Sequence, residues 1–129
     1  MCLIVDKEKF RVKIAQEDIV VYKALGKDDE NVISPYWEFV YEIGKEYKTK
    51  MKLQFFNNYY EIHEGFHSFL NEKDAKLEES TLRYCKVQDG YLDFCCFRCI
   101  IPKGSEIIYG KYCEKDAIVS EAIKIIERV

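Results

Sequence analysis

The sequence predicts an α+β domain: a small, twisted, mostly antiparallel sheet carrying one main helix at about residues 70–82. Three observations predict it. Short apolar runs and apolar–polar alternations, each bounded by turn residues, fill the first half and return in the last third, as strands do. Ten tyrosines, eight phenylalanines and one tryptophan suit pleated, half-buried surfaces. Between the strand-rich parts stands Asn71, a plausible N-cap, with Glu72 and Asp74 where carboxylates complement a helix dipole.

In chain order, residues 2–5 and 10–14 read as short strands. Asp18 to Leu25 is the strongest early strand, and its near-continuous apolar run predicts a central place buried on both faces. Gly26 to Asn31 reads as a charged turn, and Ser34-Pro35-Tyr36 as a second break. Trp37 to Tyr41 alternates, Gly44-Lys45 turns, and Glu46 to Lys48 follows as a hairpin partner. Thr49 to Lys52 is a basic loop, Asn57-Asn58 a turn, and Tyr59 to His63 a strand. Phe69, Ala75, Leu77 and Leu82 supply the helix's apolar side. Leu82 to Val87 and Tyr91 to Ile101 then read as strands joined at Asp89-Gly90, a hairpin dipeptide. Pro102 to Ser105 turns into Glu106 to Tyr112, and Ala117 to Val129 fits a strand slightly better than a helix.

A length of 129 residues suits a single domain, 1–129. A net charge of -3 offers no field for a polyanion, which argues against nucleic acid as the main partner. No apolar run approaches the roughly 18–20 residues of a membrane span, so no membrane partner is expected. The start lacks the pattern of a signal peptide, so a cytoplasmic protein is expected. In that compartment the six cysteines are thiols rather than disulfides.

The stretch Tyr60 to Phe69 holds both histidines. His63-x3-His67 would suit a metal on a helix, but Gly65 interrupts it and no third ligand is placed, so no metal is expected. A histidine beside a glycine turn, followed by Ser68 and a helix start, instead offers donors for an anion or nucleotide phosphate. His67, His63, Ser68 and Gly65 are therefore candidate ligand-binding residues, with Tyr36 as an aromatic platform displayed by its turn. Cys95-Cys96-x2-Cys99 resembles a zinc motif only until strand geometry is applied: Cys95 and Cys99 then face one way and Cys96 the other. Core thiols are the better reading. Cys2 reads as the start of an edge strand.

Tyr22-Lys23, Ser34-Pro35-Tyr36, Phe39-x-Tyr41-x2-Gly44-x2-Tyr47, Glu64-Gly65-Phe66-His67 and Ile101-Pro102-Lys103-Gly104-Ser105 follow one another, with Ser120 after them. This order resembles a family of short, uncharacterised proteins of bacteria and their phages, marked by a "GFH" box and a late "IPKGS" turn. The resemblance covers roughly residues 18–126 and implies a microbial or phage cytoplasmic protein. It marks Tyr36, His67 and the turn at Gly104 as positions to examine. A fainter similarity points to ADP-ribosyltransferase-like folds, with a late glutamate beside an NAD cleft. It would make Glu121 the catalytic carboxylate and set His67 and Tyr36 along the cleft, although the first core strand carries Tyr22-Lys23 in place of the usual arginine or histidine.

The expected function is a non-catalytic binding module for a small ligand, such as a nucleotide, or for a protein, with host defence as one setting. No cofactor is expected, except NAD under the transferase alternative. A purely structural interaction domain is the third reading.

Overall fold

The computed structural model describes residues 3–6, 11–28, 31–34, 39–55, 59–86 and 94–129. Expectations placed on Cys2, Phe10, Ser34-Pro35-Tyr36 beyond Ser34, Trp37, Asn57-Asn58 and Asp89-Gly90 lie outside the described residues. The first strands are β1 (Leu3–Asp6), β2 (Lys13–Ile14), β3 (Ile19–Asp28), β4 (Asn31–Ile33), β5 (Val40–Tyr41) and β6 (Glu46–Lys48). Next come β7 (Lys52–Phe55), β8 (Tyr59–Glu64), β9 (Phe66–Phe69) and the helix α1 (Glu72–Lys86). The chain finishes with β10 (Phe94–Ile101), β11 (Glu106–Tyr112), β12 (Lys115–Ser120) and β13 (Ala122–Arg128).

The α+β expectation is therefore corrected. The described residues form one antiparallel sheet of thirteen strands, far larger than a small sheet balanced by a helix. Its main path runs β6-β13-β10-β3-β9-β12-β11-β1-β8-β7. Two junctions show why one sheet suffices to build a core. Strands β12 and β13 are joined by the single residue Glu121, yet lie four places apart in the sheet. In a flat sheet that is about 19 Å, far beyond one residue's reach. The sheet must curl to bring them together. Strands β8 and β9, joined by Gly65 alone, are also four places apart and force a second curl.

Each curl encloses a core. The larger one contains Val21, Leu25, Cys95, Phe97, Cys99, Ile101, Ile118, Ile123 and Ile125, together with Tyr41 and Phe66. The smaller one contains Leu3, Val5, Ile62, Ile108, Ala117 and Val119. Strand β12 is common to both, which explains why its successive residues Ala117, Ile118 and Val119 are all buried. Gly110 lets β1 and β11 close on the smaller core: a Cβ there would lie 2.8 Å from Ile4 O and from side-chain carbons of Leu3 and Val5.

The helix covers the outer face of the larger curl. Leu82 packs with Ala24 and Phe94, and Ala75 with Phe69 and Cys96. This docking overrides the predicted strand beginning at Leu82, because the apolar residues 75 and 82, two turns apart, stay on one helical face. Strand β3 lies between helix and core, in the central place expected of it. Gly26 to Asp28, expected as a turn, instead continue β3 and pair with β4. Among the described residues, no helix is long and apolar enough to cross a membrane.

Candidate functional site

Strand β3 gives one edge to β10, from Ile19 opposite Ile101 to Gly26 opposite Phe94. The other edge is divided. Tyr22 pairs with Phe69 of β9, whereas Gly26 to Asp28 pair with β4. Lys23 stands at this fork. Alternation directs Lys23 to the same face as Val21 and Leu25, which is the face of the larger core. Its ammonium donates a hydrogen bond to the backbone carbonyl of His67. Among the described residues no carboxylate forms an ion pair with it.

Lys23 keeps some solvent contact along its length, but its ammonium lies deep among protein atoms. Desolvation lowers its pKa from 10.5 to about 8, against an upward pull from the nearby Cys99 thiolate form. Cys99 itself is pushed up to about 12, by burial above all. The Tyr41 hydroxyl is also raised, first by burial and then by Cys99 and Tyr47. Cys99 thus lies within electrostatic reach of both Lys23 and Tyr41.

The register that pairs Tyr22 with Phe69 sets Lys23 beside Ser68, one residue along each strand. Ser68 shares its face with Phe66, so its side chain also turns into the larger core. It is completely buried, and its hydroxyl has no hydrogen-bond partner among the described residues. Aromatic rings wall the same core. Tyr41 lies edge-on to Tyr47 at 5.4 Å between centroids and tilted against Phe66 at 6.1 Å. Phe39 contacts all three, at 4.8 Å from Tyr41, 5.4 Å from Tyr47 and 6.1 Å from Phe66. Tyr41 and Phe66 are buried while Phe39 is 42% exposed, so the cluster runs from the core to solvent. Lys45 caps the outer end, 5.4 Å from the Tyr47 ring centre.

The sequence-derived candidates fall in different places. His67 lies on strand β9 rather than at a helix start, since α1 begins only at Glu72. Its ring is engaged by the backbone: Nε2 is 2.9 Å from Ile62 O and Nδ1 is 3.2 Å from Gly65 O. Burial, aided by Lys23, lowers its pKa to about 4 against the pull of those carbonyls, so the ring is neutral at pH 7. Both partners are carbonyl oxygens, which only accept, so a neutral imidazole with its one N–H donates to one of the two. Gly65 forms the corner before β9, with φ +129, and a Cβ there would approach Val119 Cγ1 to 2.4 Å. His63 lies on β8, with its side chain outside the described set, and Tyr36 lies outside the described residues.

Glu121 holds the other corner. Its carboxylate accepts the Glu106 N–H at 2.9 Å, and its carbonyl accepts the Thr49 N–H at 2.7 Å. The IPKGS box is a clamp of the same kind. The Lys103 N–H donates to Asp18 Oδ1 at 2.8 Å, and the Ser105 hydroxyl donates to Pro102 O at 2.6 Å. Cys95 and Cys99 lie in the larger core and Cys96 on the helix side, as strand alternation requires.

Sequence reasoning singled out Ser68 but missed Lys23, Phe39, Tyr41, Tyr47, Phe66 and Cys99 as one group. The available signal was parity: Val21-x-Lys23-x-Leu25 places a lysine at an inward position of an otherwise apolar strand. Comparison with protein-family models, curated proteins and solved structures finds no match to this chain.

Proposed function

We propose that this domain is a non-catalytic binding module that takes a small ligand with an aromatic ring at the β3 fork. One observation carries this reading: the Phe39–Tyr41–Tyr47–Phe66 cluster leads from solvent into a core that also holds the Lys23 ammonium. Aromatic walls with few polar groups are the usual composition of a small-molecule site. Offset and edge-on contacts let one further ring join without displacing the others. Apart from Phe39, which precedes β5, the residues of the site lie on strands, which favours a fixed geometry. The transferase alternative gains no support from Glu121, whose carboxylate closes a corner of the sheet.

The test is a thermal-shift screen of the reduced protein against NAD, ADP-ribose, cyclic nucleotides and free purines, with Phe39→Ala and Tyr47→Ala alongside. A ligand at a hundred times its Kd adds roughly 2.7 kcal/mol, a rise of several degrees in Tm. The rise should shrink in both variants. A screen without any shift, or one indifferent to both substitutions, removes this reading.

A further inference from the structure

We infer that Lys23 and Ser68 form the floor of this site and receive a single anionic group carried by the aromatic ligand. The inference rests on the binding reading above and adds the charge and chemistry of what is bound. An ammonium has three N–H donors. One is used on the His67 carbonyl, and the described residues engage neither of the other two. Beside it the Ser68 hydroxyl is wholly buried and unpartnered among the described residues. A buried hydroxyl without a partner is uncommon, and two polar exceptions at adjacent positions on one inward face are less common still.

Charge fixes the sign of the ligand. The ammonium has no carboxylate partner among the described residues. The titratable group acting on it is Cys99, held as a thiol, while the His67 ring, held neutral, lies on the opposite face of β9 from Ser68. Cys99 in turn acts on Tyr41, which is also held protonated. The helix carboxylates Glu72 and Glu79 act on Cys96, on the opposite face. A ligand anion would supply the missing counter-charge and accept both remaining kinds of donor. A cation would meet Lys23 directly, and a neutral ring would leave both exceptions as they are. Carboxylate and phosphate share the required chemistry, and separate probes distinguish them.

The experiment is an NMR chemical-shift titration of the full chain with phenyl phosphate, benzoate, inorganic phosphate and benzyl alcohol, repeated on Lys23→Met and Ser68→Ala. Phenyl phosphate or benzoate should bind with shifts centred on β3, β9 and Phe39, and whichever binds tighter names the anion. Benzyl alcohol and inorganic phosphate should each bind at least tenfold more weakly. Lys23→Met should weaken the aromatic anion tenfold or more, as loss of a charge-assisted bond does. Ser68→Ala should weaken it about tenfold, as loss of a hydrogen bond to a charged group does. Equal binding of benzyl alcohol and the anions, undiminished in both variants, overturns the anionic floor while leaving the aromatic site standing. Absence of shifts near Phe39 with every probe overturns both readings. Unchanged affinity in Ser68→Ala removes Ser68 from the floor. That variant deletes a hydroxyl making no described bond, so it should fold like the wild type.

Discussion

Lys23→Met should stabilise the free protein at neutral pH, although it removes a hydrogen bond. Lowering an amine from 10.5 to about 8 corresponds to roughly 3 kcal/mol against the charged form in the folded state. Methionine removes this penalty and replaces the lysine stem with a flexible apolar side chain. Against it stands the His67 carbonyl, which loses its donor at a cost of about 1–2 kcal/mol. The expected net gain is about 1–2 kcal/mol at pH 7, within the range seen when buried charges are replaced by apolar residues.

The pH dependence gives the sharper check. Below about pH 8 the amine is protonated in both states and the penalty is complete. Between 8 and 10.5 the unfolded chain binds more protons at this residue than the folded one, so Lys23 makes stability rise with pH. Cys96, Cys99 and Tyr41 have raised values and work the other way: their contribution is complete below their ordinary pKa and is lost as pH rises. They cancel in the difference between wild type and variant. Urea unfolding at pH 7, 9 and 10.5 with reductant should show the advantage of Lys23→Met falling by roughly 3 kcal/mol, from a gain at pH 7 to a loss of about 1 kcal/mol at pH 10.5. A variant less stable at pH 7, by an amount constant across the range, would refute the placement of Lys23.

The remaining predictions concern the corners and the histidine. His67 falls from 6.5 to about 4 in the folded state, so below pH 6.5 the unfolded chain binds the extra proton. The wild type should therefore lose roughly 2–3 kcal/mol relative to His67→Gln as pH drops from 6.5 to 4, and parallel stability curves would argue against this. Gly65→Ala forces an alanine into φ +129 with its Cβ 2.4 Å from Val119 Cγ1. It should cost about 3 kcal/mol by chemical denaturation, and a loss below about 1 kcal/mol would contradict the tight corner. Glu121→Gln keeps an oxygen for the Glu106 N–H and should stay within about 0.5 kcal/mol of wild type, whereas Glu121→Ala should lose about 1 kcal/mol. Equal losses in the two Glu121 variants would place the importance of that side chain in its charge.

Much of the strand content was legible because alternation is local. Phe94 to Ile101 and Ile19 to Leu25 announce themselves by apolar content alone. The architecture was not legible, because it depends on pairings between distant strands that no local pattern encodes. Gly65 was readable as a turn, but Ser120-Glu121-Ala122 contains no turn residue. Its corner is held by bonds to Glu106 and Thr49, far away in sequence. The second half of α1 misled for a related reason. Thr81 and Tyr84 favour strands, and docking of Leu82 on Ala24 and Phe94 decides for helix. His67 was expected beside a helix start, but β9 extends through Phe69 and its ring meets the carbonyls of the β8–β9 corner.

Two kinds of polar side chain stand out among the described residues, those that hold corners and those that hold none. Ser105 donates to Pro102 O, Ser120 donates to Ala122 O, and Glu121 accepts from Glu106 N–H. Each holds a corner, and each is satisfied within the fold. Lys23 and Ser68 hold no corner. They occupy inward positions between apolar neighbours, where valine or leucine would pack without penalty. Local rules broken without a structural return are expected where a protein meets its ligand. The fork of β3 supplies the reason they can remain. Both stand where the edge of β3 passes from β9 to β4, so no continuous ladder runs past Lys23. The two polar exceptions stand at this discontinuity, and that is where the ligand proposed above would meet them.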